Sequence, residues 1–115
     1  MWNLEYYELP SGRCLALDFL EEQNAKTERP YLTNALDQLE NNGNRLGIPQ
    51  VKYLDDGIFE LRVKIVKKNY RMFYFFFLKN TIVITHGFIK KSGSVPQHQI
   101  NLAKKYRNDY EMRQK

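Results

Sequence analysis

The sequence is poor in the residues that form disulfides and structural metal sites. Cys14 is its single cysteine, and only two histidines occur among 115 residues. One thiol cannot form an internal disulfide, and a structural zinc site needs several Cys or His ligands. We therefore expect neither a disulfide nor a zinc site, and we interpret Cys14 as a buried packing residue.

Long apolar segments and interdomain linkers are also missing. The longest apolar run, Met72–Leu78, has seven residues, whereas a membrane-spanning helix needs about 20. Residues 1–5 do not resemble a signal peptide. No repeat or Pro/Gly/Ser-rich linker divides the chain, whose length fits one domain of about 100–150 residues. These absences predict a single soluble, cytoplasmic domain without a membrane segment.

Acidic residues are scarce in the second half of the chain. Residues 1–57 contain five Lys/Arg and ten Asp/Glu, whereas residues 58–115 contain thirteen and three. Such a difference within one domain predicts a surface of strongly positive potential, which suits a polyanion such as RNA or DNA. A basic surface that only favours solubility would give the same imbalance, so charge alone does not distinguish the two.

Apolar spacing and turn residues predict an α+β fold in the order β-α-α-β-β-β-β-α. An N-terminal strand precedes two helices, three or four strands follow, and a C-terminal helix begins at Pro96. The connections between the last strands are too short for parallel crossovers, which indicates an antiparallel meander. The predicted segments are strand Asn3–Leu9, helices from Arg13 to Gln23 and from Thr27 to Asn42, and strands Val51–Leu54, Ile58–Val66, Tyr70–Leu78 and Thr81–Phe88.

The last hairpin predicts which side chains share a face of the sheet. If its loop has only two residues, Leu78 pairs with Thr81. Counting back from that pair places Phe73 opposite His86. Arg71 and His86 then lie on one face, because residues two apart in a strand point the same way.

The preceding hairpin is open to two interpretations. If its loop is Lys67-Lys68, Lys64 lies opposite Arg71. Arg62 then lies opposite Phe73, and both cations join the same face. A three-residue loop would turn Arg62 and Lys64 to the other face, because a shift of one residue reverses every side chain of a strand.

The shared face is a candidate site for RNA. Cleavage of RNA by its own 2′-hydroxyl requires a base, positive charge at the phosphate and an acid at the leaving oxygen. Arginine binds two phosphate oxygens and stays charged, whereas histidine transfers protons near neutrality. Aromatic rings stack on the bases of single-stranded RNA. The candidate residues are Arg71, His86 and Lys90 for catalysis and Arg62, Lys64, Phe73 and Lys91 for RNA binding.

Each of these residues also has a structural explanation. Arg71 could pair only with an acidic side chain such as Glu60, and a lone histidine on a strand, such as His86, is more often structural than catalytic. Lys90 and Lys91 could be ordinary loop lysines, which are usually solvated. His98 and Tyr106 in the terminal segment are interpreted as structural. Taken singly, none of these signals is specific.

Three sequence blocks, in this order and spacing, resemble the phage-derived HigB branch of the RelE/ParE toxins. The blocks are Gly57–Arg62, Asn69–Phe75 and Ile84–Lys91, followed by Pro96 and the helix from Ile100 through Ala103. The resemblance covers about residues 3–107. It implies a RelE-like fold, with one toxin domain at residues 1–107 and a basic C-terminal tail at residues 108–115.

The resemblance also implies a function. It implies the toxin of a type II toxin–antitoxin system, in a hetero-oligomer with an antitoxin that is commonly a small helix-turn-helix protein. Its activity would be cleavage of messenger RNA in the ribosomal A site without a metal or other cofactor. Two alternatives stay open: a non-enzymatic, ParE-like inhibitor that binds DNA gyrase, and a catalytically silent RNA-binding module. The ParE branch generally lacks the basic residues present here.

Roles follow from the resemblance only at matching positions. Arg71 would be the main phosphate-binding and transition-state residue. Arg62 and the Lys90-Lys91 pair correspond to residues that hold RNA or assist proton transfer. His86 fits the block in which it lies, but relatives differ in their general base, so its role rests on chemistry. Some relatives use a C-terminal tyrosine that has no clear match here.

Overall fold

The computed structural model describes residues 1–115 and confirms the predicted α+β order. Three α-helices and five strands form the fold, and a short 3-10 helix, Gly43–Arg45, follows the second helix. The elements are β1 (Asn3–Tyr6), α1 (Leu15–Glu22), α2 (Glu28–Asn42), β2 (Val51–Asp55), β3 (Ile58–Ile65), β4 (Lys68–Phe77), β5 (Thr81–Lys90) and α3 (Gln97–Arg113). The architecture is compatible with a RelE-like fold.

The five strands form one mixed sheet in the order β1-β5-β4-β3-β2. Strands β2 to β5 form the predicted antiparallel meander. Strand β1 adds to β5 in parallel, with Tyr6 beside Ile84. The sheet is therefore not wholly antiparallel, because the N-terminal strand pairs with the last strand of the meander rather than with its neighbour in sequence.

The loop between β4 and β5 is one residue longer than predicted. Phe77, not Leu78, pairs with Thr81. Leu78 has a φ of 56°, which is a turn conformation and not a strand conformation. The predicted pairing at this end of the hairpin was therefore wrong by one residue.

A β-bulge further along the same hairpin compensates for this shift. Between the pairs Tyr74–Ile84 and Phe73–His86 the register moves by one residue, which leaves Thr85 as the extra residue. A bulge inserts one residue into one strand of an antiparallel pair. The predicted opposition of Phe73 and His86 is therefore confirmed, although the two irregularities that produce it were not predicted.

The β3–β4 hairpin keeps the predicted face with a different register. Ile65 pairs with Lys68, so that Arg62, not Lys64, lies opposite Arg71. The register differs from the prediction by two residues, and a shift of two preserves the face because side chains alternate with a period of two. Arg62, Lys64 and Arg71 consequently share one face of the sheet.

Helices cover both faces of the sheet. Helices α1 and α2 enclose the larger core on one face, and α3 packs against the other face through Ile100 and Ala103. The larger core consists of Ala16, Phe19, Leu20, Leu32, Leu36, Leu39, Val51, Leu61, Tyr70, Met72, Tyr74, Ile82 and Ile84. On the α3 face the strands contribute Ile58, Phe73, Phe75 and Val83. Cys14 is half-buried at the edge of the larger core, and not fully buried as expected.

The last residues differ from the basic tail that we expected. Helix α3 extends to Arg113, so most of residues 108–115 are helical, and this segment holds two basic and two acidic residues. Its final turns are anchored to the N-terminal strand. Tyr110 donates a hydrogen bond to Glu5 Oε1 at 2.6 Å, and the Tyr7 hydroxyl donates to Asp109 Oδ2 at 2.7 Å. None of the three helices combines the length and apolarity required to cross a bilayer.

Candidate active site

A polar cleft lies on the sheet face that carries α3, at the β3–β4 hairpin. It has a volume of about 330 Å³ and contains no hydrophobic residue in its lining. The lining residues are Pro49, Gln50, Arg62, Lys64, Asn69 and Arg71. The structure thus brings together three of the residues predicted from the sequence, Arg62, Lys64 and Arg71, and adds three others.

Alternation along β3 directs its charged residues to the cleft. Leu61 belongs to the larger core, and Val63 packs against that core from the same strand. Glu60, Arg62 and Lys64 therefore project from the opposite face, since adjacent strand residues point to opposite sides. Strand β4 supplies Arg71 directly opposite Arg62.

Arg62 and Arg71 are bridged by one carboxylate. Glu60 Oε1 lies 3.4 Å from Arg62 Nε, and Glu60 Oε2 lies 3.3 Å from Arg71 Nε. Glu60 is 2% exposed and Arg71 is 4% exposed. Two cations directly opposed across a ladder repel each other, so the carboxylate between them offsets a repulsion that the strand register creates.

The hydrogen-bonding capacity of Arg71 is only partly used. Its Nη1 donates to the backbone oxygen of Tyr70 at 3.1 Å. The Arg71 Nε and Glu60 Oε2 are within ion-pair distance, but their geometry does not form a hydrogen bond and neither atom has another partner. Burial lowers the pKa of Arg71, the Glu60 carboxylate raises it and the Arg62 cation lowers it. The group remains charged, because arginine does not lose its proton in proteins.

His86 shares the face of Arg71 but does not line the cleft. It is 6% exposed. Its Nδ1 lies 3.0 Å from Thr85 Oγ1, and its Nε2 lies 2.8 Å from Oε1 of Gln99 in the first turns of α3. Burial lowers the pKa of His86, the hydrogen bond to Gln99 opposes this shift, and His98 adds to it. The ring is therefore held neutral, with both nitrogens engaged.

Aromatic rings enclose His86 on several sides. Its ring centroid lies 5.4 Å from that of Phe73, 6.1 Å from that of Phe88 and 5.7 Å from that of Tyr106. Phe73 itself is fully buried. In this arrangement the Phe73 ring packs in the core beneath α3 and presents no face on which a base can stack.

Comparison with known protein families identifies the family of the chain. Residues 17–108 match the family described as Phage derived protein Gp49-like (DUF891). The chain belongs to the Gp49-like family. This family is part of the RelE/HigB-like superfamily of toxin–antitoxin toxins, which are paired with an antitoxin. No curated protein matches the chain.

The two remaining predicted residues of this Gp49-like protein lie at the end of β5. Lys90 is the last residue of the strand rather than part of the following loop. It lies opposite Asn69, a residue of the cleft, and therefore on the cleft face. Lys91 follows the strand and is exposed. The structure thus adds Lys90 to the face of the cleft and leaves Lys91 in solvent.

Three cleft residues of the Gp49-like protein were not predicted from the sequence. Asn69 precedes Arg71 by two residues, so the alternation of β4 was sufficient to place it on this face. Pro49 and Gln50 come from the segment before β2, which carries no sequence signal for the site. The Gln50 backbone oxygen accepts a hydrogen bond of 2.8 Å from the Arg62 amide, and this tertiary contact brings the segment to the cleft.

Proposed function

We propose that this toxin is an endoribonuclease of the HigB type that cleaves messenger RNA on the ribosome. The observation that carries the proposal is the polar cleft lined by Arg62, Lys64 and Arg71, whose two arginines pair with the buried Glu60 carboxylate. Attack by an RNA 2′-hydroxyl builds negative charge on the phosphate, and fixed cations in a partly dehydrated site stabilise it. Toxins of the Gp49-like family are generally RNases.

Arg71 is the residue that we assign to the phosphate. Its guanidinium is charged, nearly buried and held on the floor of the sheet, while its terminal nitrogens are not occupied by Glu60. A planar guanidinium can donate two parallel hydrogen bonds to phosphate oxygens. Arg62 and Lys64, which are more exposed, would bind neighbouring phosphates.

Proton transfer requires groups other than Arg71. Lys90 lies on the cleft face and is half-buried, so it is the candidate nearest to the cleft along β5. His86 could act as a base at Nε2 only after Gln99 releases that nitrogen. RNA stacking on Phe73 would require α3 to move away, because Phe73 is fully buried beneath it. The proposed site of action is the cytoplasm, where ribosomes and messenger RNA occur together, and a helix-turn-helix antitoxin is the proposed partner.

Cleavage on ribosomes programmed with a defined messenger RNA tests the proposal. We expect cuts within codons for the wild-type protein, and a loss of rate of roughly 100- to 1,000-fold for Arg71→Ala. Arg45→Ala is the matched control, because Arg45 is an exposed arginine outside the cleft. Intact messenger RNA with the wild-type protein would contradict the proposal. Inhibition of gyrase supercoiling or RNA binding without cleavage would then identify one of the two alternatives.

A further inference from the structure

Glu60 is a buried carboxylate that pairs with two arginines of the cleft, Arg62 and Arg71. Its side chain is 2% exposed. It is the only acidic residue within residues 58–108, a segment that contains eleven Lys/Arg. An ionised carboxylate out of water is costly unless it is paired, and Glu60 is paired with two arginines at once. Its position therefore calls for an explanation beyond packing.

The contacts of Glu60 involve the inner nitrogens of both arginines. Each carboxylate oxygen approaches an Nε atom, at 3.4 Å for Arg62 and 3.3 Å for Arg71. The terminal nitrogens of the two guanidinium groups are left out of these ion pairs. Arg71 Nη1 makes one further bond, to the Tyr70 backbone oxygen. The carboxylate thus holds the two side chains near their stems and leaves terminal donors for a ligand.

The strand register makes such a bridge necessary. Arg62 and Arg71 are direct partners across β3 and β4, where like charges repel. Without a negative charge between them, the two guanidinium groups would separate, and Arg62, the more exposed of the two, would turn to solvent. Glu60 is two residues from Arg62 on the same face, which is the position from which one carboxylate reaches both.

We propose that Glu60 is a positioning residue, which holds the guanidinium groups of Arg62 and Arg71 together for one RNA phosphate. The inference rests on the proposed function, because it takes RNA as the ligand of the cleft. Glu60 touches neither the RNA nor the reacting atoms. Its effect on cleavage passes through the two arginines.

This role predicts opposite changes in binding and in cleavage for Glu60→Gln. The substitution removes one negative charge and keeps the side-chain volume, so RNA should bind more tightly. For single-stranded RNA the salt dependence of log Kd should become steeper by about 0.7, the value for one additional available cation. The cleavage rate of the bound complex should fall by roughly 10- to 100-fold, because misplacement by about 1 Å costs up to this factor. A purely structural role would lower the fraction of active protein without tightening binding.

The experiment combines three measurements on the full chain. Affinity is measured with a non-cleavable, 2′-deoxy-substituted RNA oligonucleotide over a range of salt concentrations. Single-turnover cleavage is measured on programmed ribosomes. The Nε–H signals of Arg62 and Arg71 are followed by NMR in the free protein, where we expect them to shift and to exchange faster with water in Glu60→Gln. Glu5→Gln is the matched control, because Glu5 accepts a hydrogen bond from Tyr110 outside the cleft.

The outcomes separate this inference from the function on which it rests. A folded Glu60→Gln protein with wild-type cleavage and unchanged arginine signals would overturn the role of Glu60 and leave the proposed function intact. If the wild-type protein does not cleave messenger RNA, the proposed function fails, while the arginine signals and the salt dependence still decide whether Glu60 holds the two arginines. If Glu60→Gln does not fold, Glu60→Asp, which keeps the charge on a shorter side chain, permits the same measurements, and slower cleavage with displaced arginine signals is expected.

Discussion

One face of the sheet has an end covered by α3 and an end open to solvent, and the two ends treat ionisable side chains differently. Under the helix, His86 is 6% exposed and its pKa is lowered by burial, so the ring is neutral. At the open end, Arg71 is 4% exposed and stays charged beside Glu60. His86 and Arg71 are therefore almost equally buried, but His86 is neutral and Arg71 is positively charged.

The difference follows from the chemistry of the two groups. Histidine can lose its proton near neutrality, so a buried imidazole avoids the cost of desolvation by becoming neutral. Arginine cannot do so and needs a counter-charge when it is buried. The covered end is consequently suited to stability, and the open end is suited to binding an anion.

Truncation of Phe73 should produce the largest effect and should act on stability. Phe73 is fully buried between His86 and Phe88, and Phe73→Ala is expected to lower the free energy of unfolding by about 3–5 kcal/mol. Lys64→Ala, at the exposed end, should stay within about 0.5 kcal/mol of the wild type. Urea unfolding followed by circular dichroism measures both. A loss below 1 kcal/mol for Phe73→Ala would show that the covered end is not the stabilising one.

The next largest effect should separate Arg71 from His86 in catalysis. We expect Arg71→Ala to slow cleavage on programmed ribosomes by roughly 100-fold or more. His86→Gln, compared as folded protein at equal concentration, should slow it by less than about 10-fold, because the ring is enclosed and both nitrogens are bonded. Loss of cleavage in a folded His86→Gln protein would show that His86 takes part in catalysis, for which Gln99 would have to release its Nε2 during the reaction.

The pH dependence of stability should report the buried histidine. The pKa of His86 in the folded protein lies below its ordinary value of 6.5, so the unfolded chain binds this proton more readily. Its contribution to stability is complete above pH 6.5 and is lost as the pH falls toward the folded pKa, by at most about 1.4 kcal/mol per pH unit. Urea unfolding at a series of pH values should show this slope, and His86→Gln should remove it above the range in which carboxylates titrate. An equal slope in both proteins would assign it to another group.

The smallest effect should distinguish the two lysines at the end of β5. Lys90 lies on the cleft face opposite Asn69, and Lys91 lies beyond the strand. Lys90→Ala is expected to reduce the salt dependence of RNA binding by about 0.7 in log Kd per log salt, the value for one phosphate contact. Lys91→Ala should reduce it less. Equal effects, measured by titration of single-stranded RNA at several salt concentrations, would place the RNA path beyond the cleft.

Much of the fold was predictable, because local patterns specify it. The α+β order and the antiparallel meander followed from apolar spacing and short loops. The face shared by Arg62, Lys64 and Arg71 was one of two interpretations of the β3–β4 hairpin. The interpretation with a two-residue loop is confirmed, since its register error of two residues does not change a face. By contrast, the parallel pairing of β1 with β5 depends on contacts between distant parts of the chain, which no local pattern encodes.

The candidate site was predictable only in part. The basic residues Arg62, Lys64 and Arg71 were candidates from the sequence, and the resemblance to the toxin family supported the roles of Arg62 and Arg71. Pro49 and Gln50 could not be predicted as cleft residues, because they reach the cleft through a tertiary contact, the hydrogen bond from the Arg62 amide to the Gln50 backbone oxygen. Sequence reasoning also considered Glu60 only as a possible partner of Arg71, and missed that one carboxylate bridges two arginines.

Arg71 and His86 show which features of the site depend on the sequence and which depend on the tertiary structure. The sequence by itself predicted that both residues lie on one face, because strand side chains alternate with a period of two. The longer loop and the bulge of the hairpin offset each other and left this prediction intact. Only the tertiary structure decided which of them lines the polar cleft, because the length of sheet that α3 covers depends on the packing of Ile100 and Ala103 against strands that are distant in sequence. Burial is a property of such contacts, and it left the predicted proton-transfer residue, His86, in the core and the predicted phosphate-binding residue, Arg71, beside the open cleft.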